Sequence, residues 1–262
     1  MTRPETHRGA CLCGGVVFEV DAPLRPVTTC HCTQCRKQSG HFWAATSVPH
    51  DRFRLIRDTG LRWFHASDSA RRGHCGQCGA FLFWEPAGEA RISFAAGALE
   101  GTTGLTIAER WFTEDGGDYD PEANAPPQGL PERLPASCLC GDCRFDLPAP
   151  AGPVTACHCL QCRVLSGHFS ASFDADPNSL RWQSRLSERV FTTPGGASRG
   201  FCATCGSKLW FRAADGRFSV EAGVVDGPTG GRLARHIHVA SMGDYYTIGD
   251  GLPQHAKDAS DA

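Results

Sequence analysis

The chain has 262 residues, of which 41% are hydrophobic and 21% charged, and a formal net charge of −2. That profile belongs to a folded globular protein rather than a disordered one, and it excludes the broad positive field used to hold nucleic acid or an anionic membrane. The opening MTRPETHRGACLCGG has no apolar signal core, and no apolar run approaches the roughly 18 residues of a membrane span. A cytoplasmic protein is expected.

In chain order, the pair Cys11-x-Cys13 comes first, then a β-prone run VVFEV (16–20). The triplet Cys30-x-Cys32-x-x-Cys35 follows, and CTQCRKQSG (32–40) reads as a short helical turn. Short strands are expected at HFWAATSV (41–48), FRLI (53–56), LRWFH (61–65), AFLFWE (80–85) and RISFAAG (91–97), with Cys75-x-x-Cys78 between the third and fourth of these. Residues 120–136, rich in proline and alanine, read as a tail followed by a linker. The second half repeats the series: Cys138-x-Cys140, RFDL, Cys157-x-Cys159-x-x-Cys162 within CLQCRVLSG, HFSASF, LRWQ, RVFTT, Cys202-x-x-Cys205, KLWFR and FSVEAG. Long helical periodicity is absent, so the expected class is mainly β, with small sheets wrapped around the cysteine groups.

The repeat is quantitative. Cys138 lies 127 positions after Cys11, and that offset links all seven paired cysteines through Cys78 and Cys205. CHCTQCRKQSGHF (30–42) aligns with CHCLQCRVLSGHF (157–169). Between Gly79 and Gly97, in the turn around PAGEA, the offset falls to 126, so that Gly97 matches Gly223 and Asp118-Tyr119 matches Asp244-Tyr245. A period this long reads as duplication of a whole domain rather than a solenoid. The domains are placed at 8–130 and 131–255, each tail being assigned to the domain before it.

Fifteen cysteines require an explanation. A disulfide framework needs an oxidising compartment and an even count, whereas Cys-x-Cys and Cys-x-x-Cys pairs are a common way to present thiolates to zinc. Seven thiols divide into four and three. Cys11, Cys13, Cys75 and Cys78 are assigned to a closed structural site, with Cys138, Cys140, Cys202 and Cys205 as its copy. Cys30, Cys32 and Cys35, and likewise Cys157, Cys159 and Cys162, are assigned to a three-thiolate site with one coordination position open. An open zinc of this kind favours a fourth sulfur ligand and ionises an incoming thiol. The alternative is that both sites are structural, with a histidine or water completing the second. Cys143, whose counterpart is Val16, reads as a small buried side chain rather than an eighth ligand.

The patterns CLCGGVVFEV, CHCTQCRKQSGH, RRGHCGQCGAFLFW and HIHVASMGDYYTIGDGLPQ resemble the glutathione-dependent formaldehyde-activating enzyme family, also called the centromere protein V family, across nearly all of both halves. The resemblance implies two tandem Mss4-like zinc-binding β domains, with two zinc ions per domain and four per chain at the cysteines just named. It implies a carbon–sulfur lyase acting on thiol–aldehyde adducts such as S-hydroxymethylglutathione, with glutathione as thiol co-substrate and formaldehyde as aldehyde. The competing reading is a non-catalytic zinc module for protein interaction or for zinc and thiol buffering. Neither nucleic acid nor membrane is expected as a partner. The two halves are expected to be able to pack as a pseudo-dimer.

Further candidates surround the triplets. His41 and His168, six positions past the last cysteine, are candidates to complete the open zinc site or to move a proton. Arg36 and Arg163 are candidates for a glutathione carboxylate. His31 and His158 lie between ligand cysteines and are expected to point away from the metal. Trp43, Trp63 and Trp84 read as core or as cavity walls. The halves differ near their ends, where Arg110 and Phe112 stand in place of His236 and His238.

Overall fold

Short runs of β-branched and aromatic residues, interrupted by glycine and proline, produce short strands and tight turns. The computed structural model describes residues 5–121, 123 and 129–258. The first half contains β1 (Thr6–Ala10), β2 (Val17–Asp21), β3 (Val27–Cys30), α1 (Thr33–Ser39), β4 (Trp43–Pro49), β5 (Phe53–Arg57), β6 (Leu61–Ser67), β7 (Ala70–Cys75), β8 (Phe81–Pro86), β9 (Arg91–Ala95) and β10 (Ile107–Trp111). The second contains β11 (Arg133–Ser137), β12 (Cys143–Pro148), β13 (Val154–Cys157), α2 (Leu160–Ser166), β14 (Ser170–Asp174), β15 (Arg181–Arg185), β16 (Glu188–Thr192), β17 (Ser198–Cys202), β18 (Lys208–Arg212), β19 (Phe218–Glu221) and β20 (Leu233–Ile237).

Each half builds a three-stranded sheet, β1-β2-β5 or β11-β12-β15, and a seven-stranded one, β10-β3-β4-β9-β8-β7-β6 or its copy β20-β13-β14-β19-β18-β17-β16. Among the described strands, the parallel pairs are β10 with β3 and β20 with β13. The fold is mainly β in two similar halves, as the sequence leads one to expect. The strands that pattern reading passes over are those next to cysteines and the sheet-edge pair β10 and β20. In β3 and β7, for example, threonine, arginine and histidine are buried beside the apolar residues, so no period-two alternation exists to be read. At the junction between halves, β11 starts at Arg133, inside the stretch read as linker; residues 122 and 124–128 of that stretch lie outside the described residues.

The halves are held together by reciprocal contacts. Gly40 ends α1 and Gly167 ends α2, each in the left-handed conformation with φ of +88° and +81°. The carbonyl of Gly40 accepts from the amide of Gly223 at 2.9 Å, and the carbonyl of Gly167 accepts from Gly97 at 2.9 Å. Backbone meets backbone here with no room for a side chain: a Cβ at Gly223 would lie 2.4 Å from the Arg36 carbonyl oxygen, and one at Gly97 would lie 2.5 Å from that of Arg163. The tails cross as well. Asp118 accepts from the Thr229 amide and hydroxyl at 2.8 Å and from the Gly230 amide at 2.9 Å. Asp244 accepts in the same way from Thr103 and Gly104. Tyr119 packs in the core of the second half, and Tyr245 packs against Val27, Ala44 and Ala96 of the first. A tail that follows one domain in sequence is therefore part of the other half's packing.

Gly223→Ala is expected to lower stability by about 1–3 kcal/mol through overpacking against a backbone that cannot turn aside. Urea melts of the metal-loaded protein check this; a variant as stable as wild type would show that the helix-end contact is loose.

Candidate metal centres

The four-thiol groups form where a turn after the first strand meets a hairpin from the large sheet. Cys11 and Cys13 lie between β1 and β2; Cys75 ends β7, and Cys78 lies in the turn before β8. The sulfurs of Cys11 and Cys13 are 3.5 Å apart and those of Cys13 and Cys75 are 3.6 Å apart. In the second half Cys138–Cys140 and Cys140–Cys202 repeat these distances, 3.5 and 3.6 Å. Such separations are far beyond the roughly 2.05 Å of a disulfide. They lie close to the edge of about 3.8 Å expected for a tetrahedron of sulfurs around zinc. All fifteen cysteines are free thiols.

The three-thiol groups are more local. Cys30 ends β3, Cys32 caps α1 and Cys35 sits in its only full turn; Cys157, Cys159 and Cys162 hold the same places on β13 and α2. In all four groups the sulfur atoms lie within 4.8 Å of one another. The cysteines assigned to each site from spacing are thus the ones the fold brings together. Crowding splits their acidities. Hydrogen bonding from Cys157 and then Cys162 holds Cys159 at about 2, while the same neighbours push Cys162 well above the ordinary thiol range. A divalent cation removes this conflict by letting all the sulfurs ionise together.

Cys143 is fully buried beside the second four-thiol group, where its amide donates to the Cys138 sulfur at 3.2 Å. The amide of Val16 makes the same bond to Cys11. Cys143 is not one of the four sulfurs that converge.

The candidate helpers lie elsewhere. His41 and His168 do not complete the three-thiol groups. Their rings turn into the junction between halves, where His41 Nδ1 meets the Tyr119 hydroxyl at 3.2 Å and His168 Nδ1 meets Tyr245 at 2.9 Å. Phe42 and Phe169 pack between them. Arg36 also leaves the thiols. Arg36 Nη1 donates to the Val225 carbonyl at 3.0 Å across the junction, and the Arg163 backbone lies against Gly97. The Arg36 side chain is drawn away because the helix that carries it is a surface on which the opposite half docks. His158 Nε2 lies 2.9 Å from His236 Nδ1, and His236 Nε2 lies 2.8 Å from Asp250. Arg110 occupies the place of His236 in the first half: it pairs with Thr29 as His236 pairs with Ala156.

One three-thiol group opens into a cavity. Cys157, Cys159 and Cys162 form part of the wall of a space of about 310 Å³, together with Arg199, Glu221 and His238. The Arg199 Nη2 donates to Gln161 at 2.9 Å, while its Nη1 is buried with no partner among the described residues. Glu221 and Ser170, absent from the sequence-derived candidates, lie on the same wall, with the Ser170 hydroxyl donating to the carboxylate at 2.7 Å. The first-half group is set against Trp43 and Arg72, whose Nη1 donates to the Cys35 sulfur at 3.6 Å.

Burial drives the His41 imidazole down to about 4 and that of His168 well below its usual value, so both are neutral in the folded protein at pH 7. Between the unfolded value near 6.5 and the folded value of about 4, the unfolded chain binds a proton that the native one does not. Stability is full above that window and is lost as pH falls through it. His41→Gln is expected to flatten the stability–pH slope between pH 6.5 and 4.5 by about one proton, roughly 1.4 kcal/mol per pH unit. Denaturant melts across that range test this, and an unchanged slope would contradict it.

The family described as glutathione-dependent formaldehyde-activating enzyme matches residues 6–115 and 133–241. No curated protein matches the chain. Among solved structures, a Rhodobacter sphaeroides protein is similar at 22% identity, covering 39% of this chain and 98% of that one, with a TM-score of 0.33. Among the described residues no helix is long and apolar enough to cross a membrane. With both halves matched, the chain belongs to the glutathione-dependent formaldehyde-activating enzyme family and carries two copies of its domain.

Proposed function

We propose that the protein is a zinc-dependent carbon–sulfur lyase that joins a thiol to an aldehyde and cleaves the adduct, with glutathione and formaldehyde as the substrate pair. The observation that carries this reading is the second-half triplet, Cys157, Cys159 and Cys162, converging at the wall of a cavity of about 310 Å³. Three thiolates suit zinc with one position left for a ligand, and a thiol taken up there is held as its nucleophilic thiolate. The four-thiol groups, with no position left over, serve as scaffold.

The rest of the cavity fits a small peptide thiol. Gln161 fixes one edge of the Arg199 guanidinium, leaving the buried Nη1 as a donor for a carboxylate or a carbonyl oxygen. Arg235, on β20 at the same wall, is anchored through its Nε to Thr155 at 3.1 Å and presents a second positive charge. Arg217, also at the wall, is paired with Asp215 and Asp258. The walls keep the reacting carbon close to the sulfur, which supplies proximity and limits competing hydration.

Metal analysis is expected to give four zinc ions per chain, one for each sulfur group. Exchange spectroscopy by NMR, with isotopically labelled formaldehyde and glutathione, measures how fast the adduct forms and breaks. The rate is expected to rise in proportion to the protein and to return to the uncatalysed value in Cys159→Ser. A rate independent of the protein would remove this substrate pair.

A further inference from the structure

The sheet registers identify which residues stand at equivalent places in the two halves. Cys157 on β13 pairs with Ser170 on β14, and Cys30 on β3 pairs with Trp43 on β4. Ser172 pairs with Glu221 on β19, and Ala45 pairs with Ala95 on β9. Beside otherwise matching thiol triplets, the second half therefore sets Ser170 and Glu221 where the first half sets Trp43 and Ala95. The consequence for space is direct. Trp43 is only 4% exposed, its ring centroid is 4.5 Å from that of Phe81, and it packs in one cluster with Cys30, Cys32 and Cys35. Lys208 replaces Phe81 in the second half, and its Nζ is directed away to the carbonyl of Gly79. Removal of two large rings from beside the triplet leaves the cavity that the second-half thiols face.

We propose that the chain has a single substrate site, in the second half, where Glu221 and Ser170 receive the oxygen of the aldehyde adduct, and that Trp43 closes the corresponding place in the first half. This rests on the reading of the second-half cavity as a thiol–aldehyde site. Glu221 is held on three sides. Ser170 donates to its carboxylate, its backbone is fixed in β19, and its Oε2 lies 2.6 Å from where a Cβ on Gly40 of the first half would stand. The first half thus supplies a wall of the second half's site, and only a glycine at the end of α1 leaves room for the carboxylate. The charged and titratable groups acting on it are Lys208 on β18, Arg199 on β17 and, from the first half, Tyr119.

The chemistry balances with the side chains present. As the thiolate sulfur attacks the aldehyde carbon, the carbon–sulfur bond forms and the carbonyl π pair moves to oxygen. That oxygen takes the proton from the neutral Glu221 carboxyl, giving the hydroxymethyl thioether and a carboxylate. The carboxylate then accepts the proton released when the next thiol ionises. The reverse path returns the hydroxyl proton to Glu221 as the carbon–sulfur bond breaks. Burial raises the Glu221 carboxyl to about 7, opposed by Ser170, Lys208 and Arg199, so both forms are populated near neutrality.

Calorimetry with glutathione, the exchange measurement and zinc analysis, all on the full chain, test the proposal together. Wild type is expected to bind one equivalent of glutathione per chain. Glu221→Gln is expected to keep that equivalent, with affinity within about threefold and all its zinc, while the exchange rate falls at least about 100-fold. Ser170→Trp, which places the first half's residue in the second, is expected to lose glutathione binding and keep its zinc. Two equivalents in wild type, retained binding in zinc-loaded Ser170→Trp, or a Glu221→Gln rate within about fivefold of wild type would overturn the proposal. No glutathione binding by wild type would overturn the functional reading itself, and this inference with it.

Discussion

Four groups of sulfur atoms, converging from separate strands and turns, are the constraint on which the structure depends. Within a group the thiols shift one another's ionisation in opposite directions, and only a shared cation lets all of them be thiolates in so small a volume. The elements that carry the ligands follow from this. Each four-thiol group ties the turn after the first strand to a hairpin some sixty residues later, and each three-thiol group binds a strand end to a single short helix. Those helices then present their glycine ends to the opposite half, so the geometry of the thiol groups inside one half sets the surface on which the other docks.

The docking is close to symmetric in its backbone and tail contacts and asymmetric in its side chains. Gly97 and Gly223, Asp118 and Asp244, and Tyr119 and Tyr245 play matched parts in the two halves. Lys37 breaks the match: its Nζ bonds the Ser137 carbonyl and pairs with Asp226, while Val164 stands at its place in α2. The buried histidines differ too, with the His158–His236–Asp250 chain in the second half and Arg110 where His236 would be in the first. Duplicated ligands therefore sit in surroundings that have diverged, and beside the thiol triplets the place shared by Trp43 and Ser170 differs by a whole indole ring.

The metal-binding part of this arrangement was legible because it lies in spacing: seven cysteines at one constant offset, in pairs suited to zinc, specify four groups without knowledge of the fold. The mainly β class was legible from the short aromatic and β-branched runs. The flanking residues were less so. His41, His168 and Arg36 lie close to ligands in sequence, yet the chain turns them into the junction, and no local pattern reports a surface made by the other half. Glu221 was passed over inside a strand-like FSVEAG. Its signal lies in the repeat: a carboxylate in one copy stands at the place of Ala95 in the other, whereas alternation puts it on the face opposite Phe218 and Val220, and only the fold shows that both faces of β19 are buried. Sequence order gives each tail to the domain it follows, because it cannot show that Tyr119 and Tyr245 pack across the junction.

The central claim is that the four metal centres are similar in their thiolates and differ in access, with one alone open to an exogenous thiol. Cadmium-113 NMR of the cadmium-substituted protein addresses it most directly, because each centre gives its own resonance and the shift reports the number of coordinated sulfurs. Four resonances are predicted, of which one, removed by Cys159→Ser, moves when glutathione is added. Movement of two resonances, or movement of a first-half resonance alone, would contradict the account.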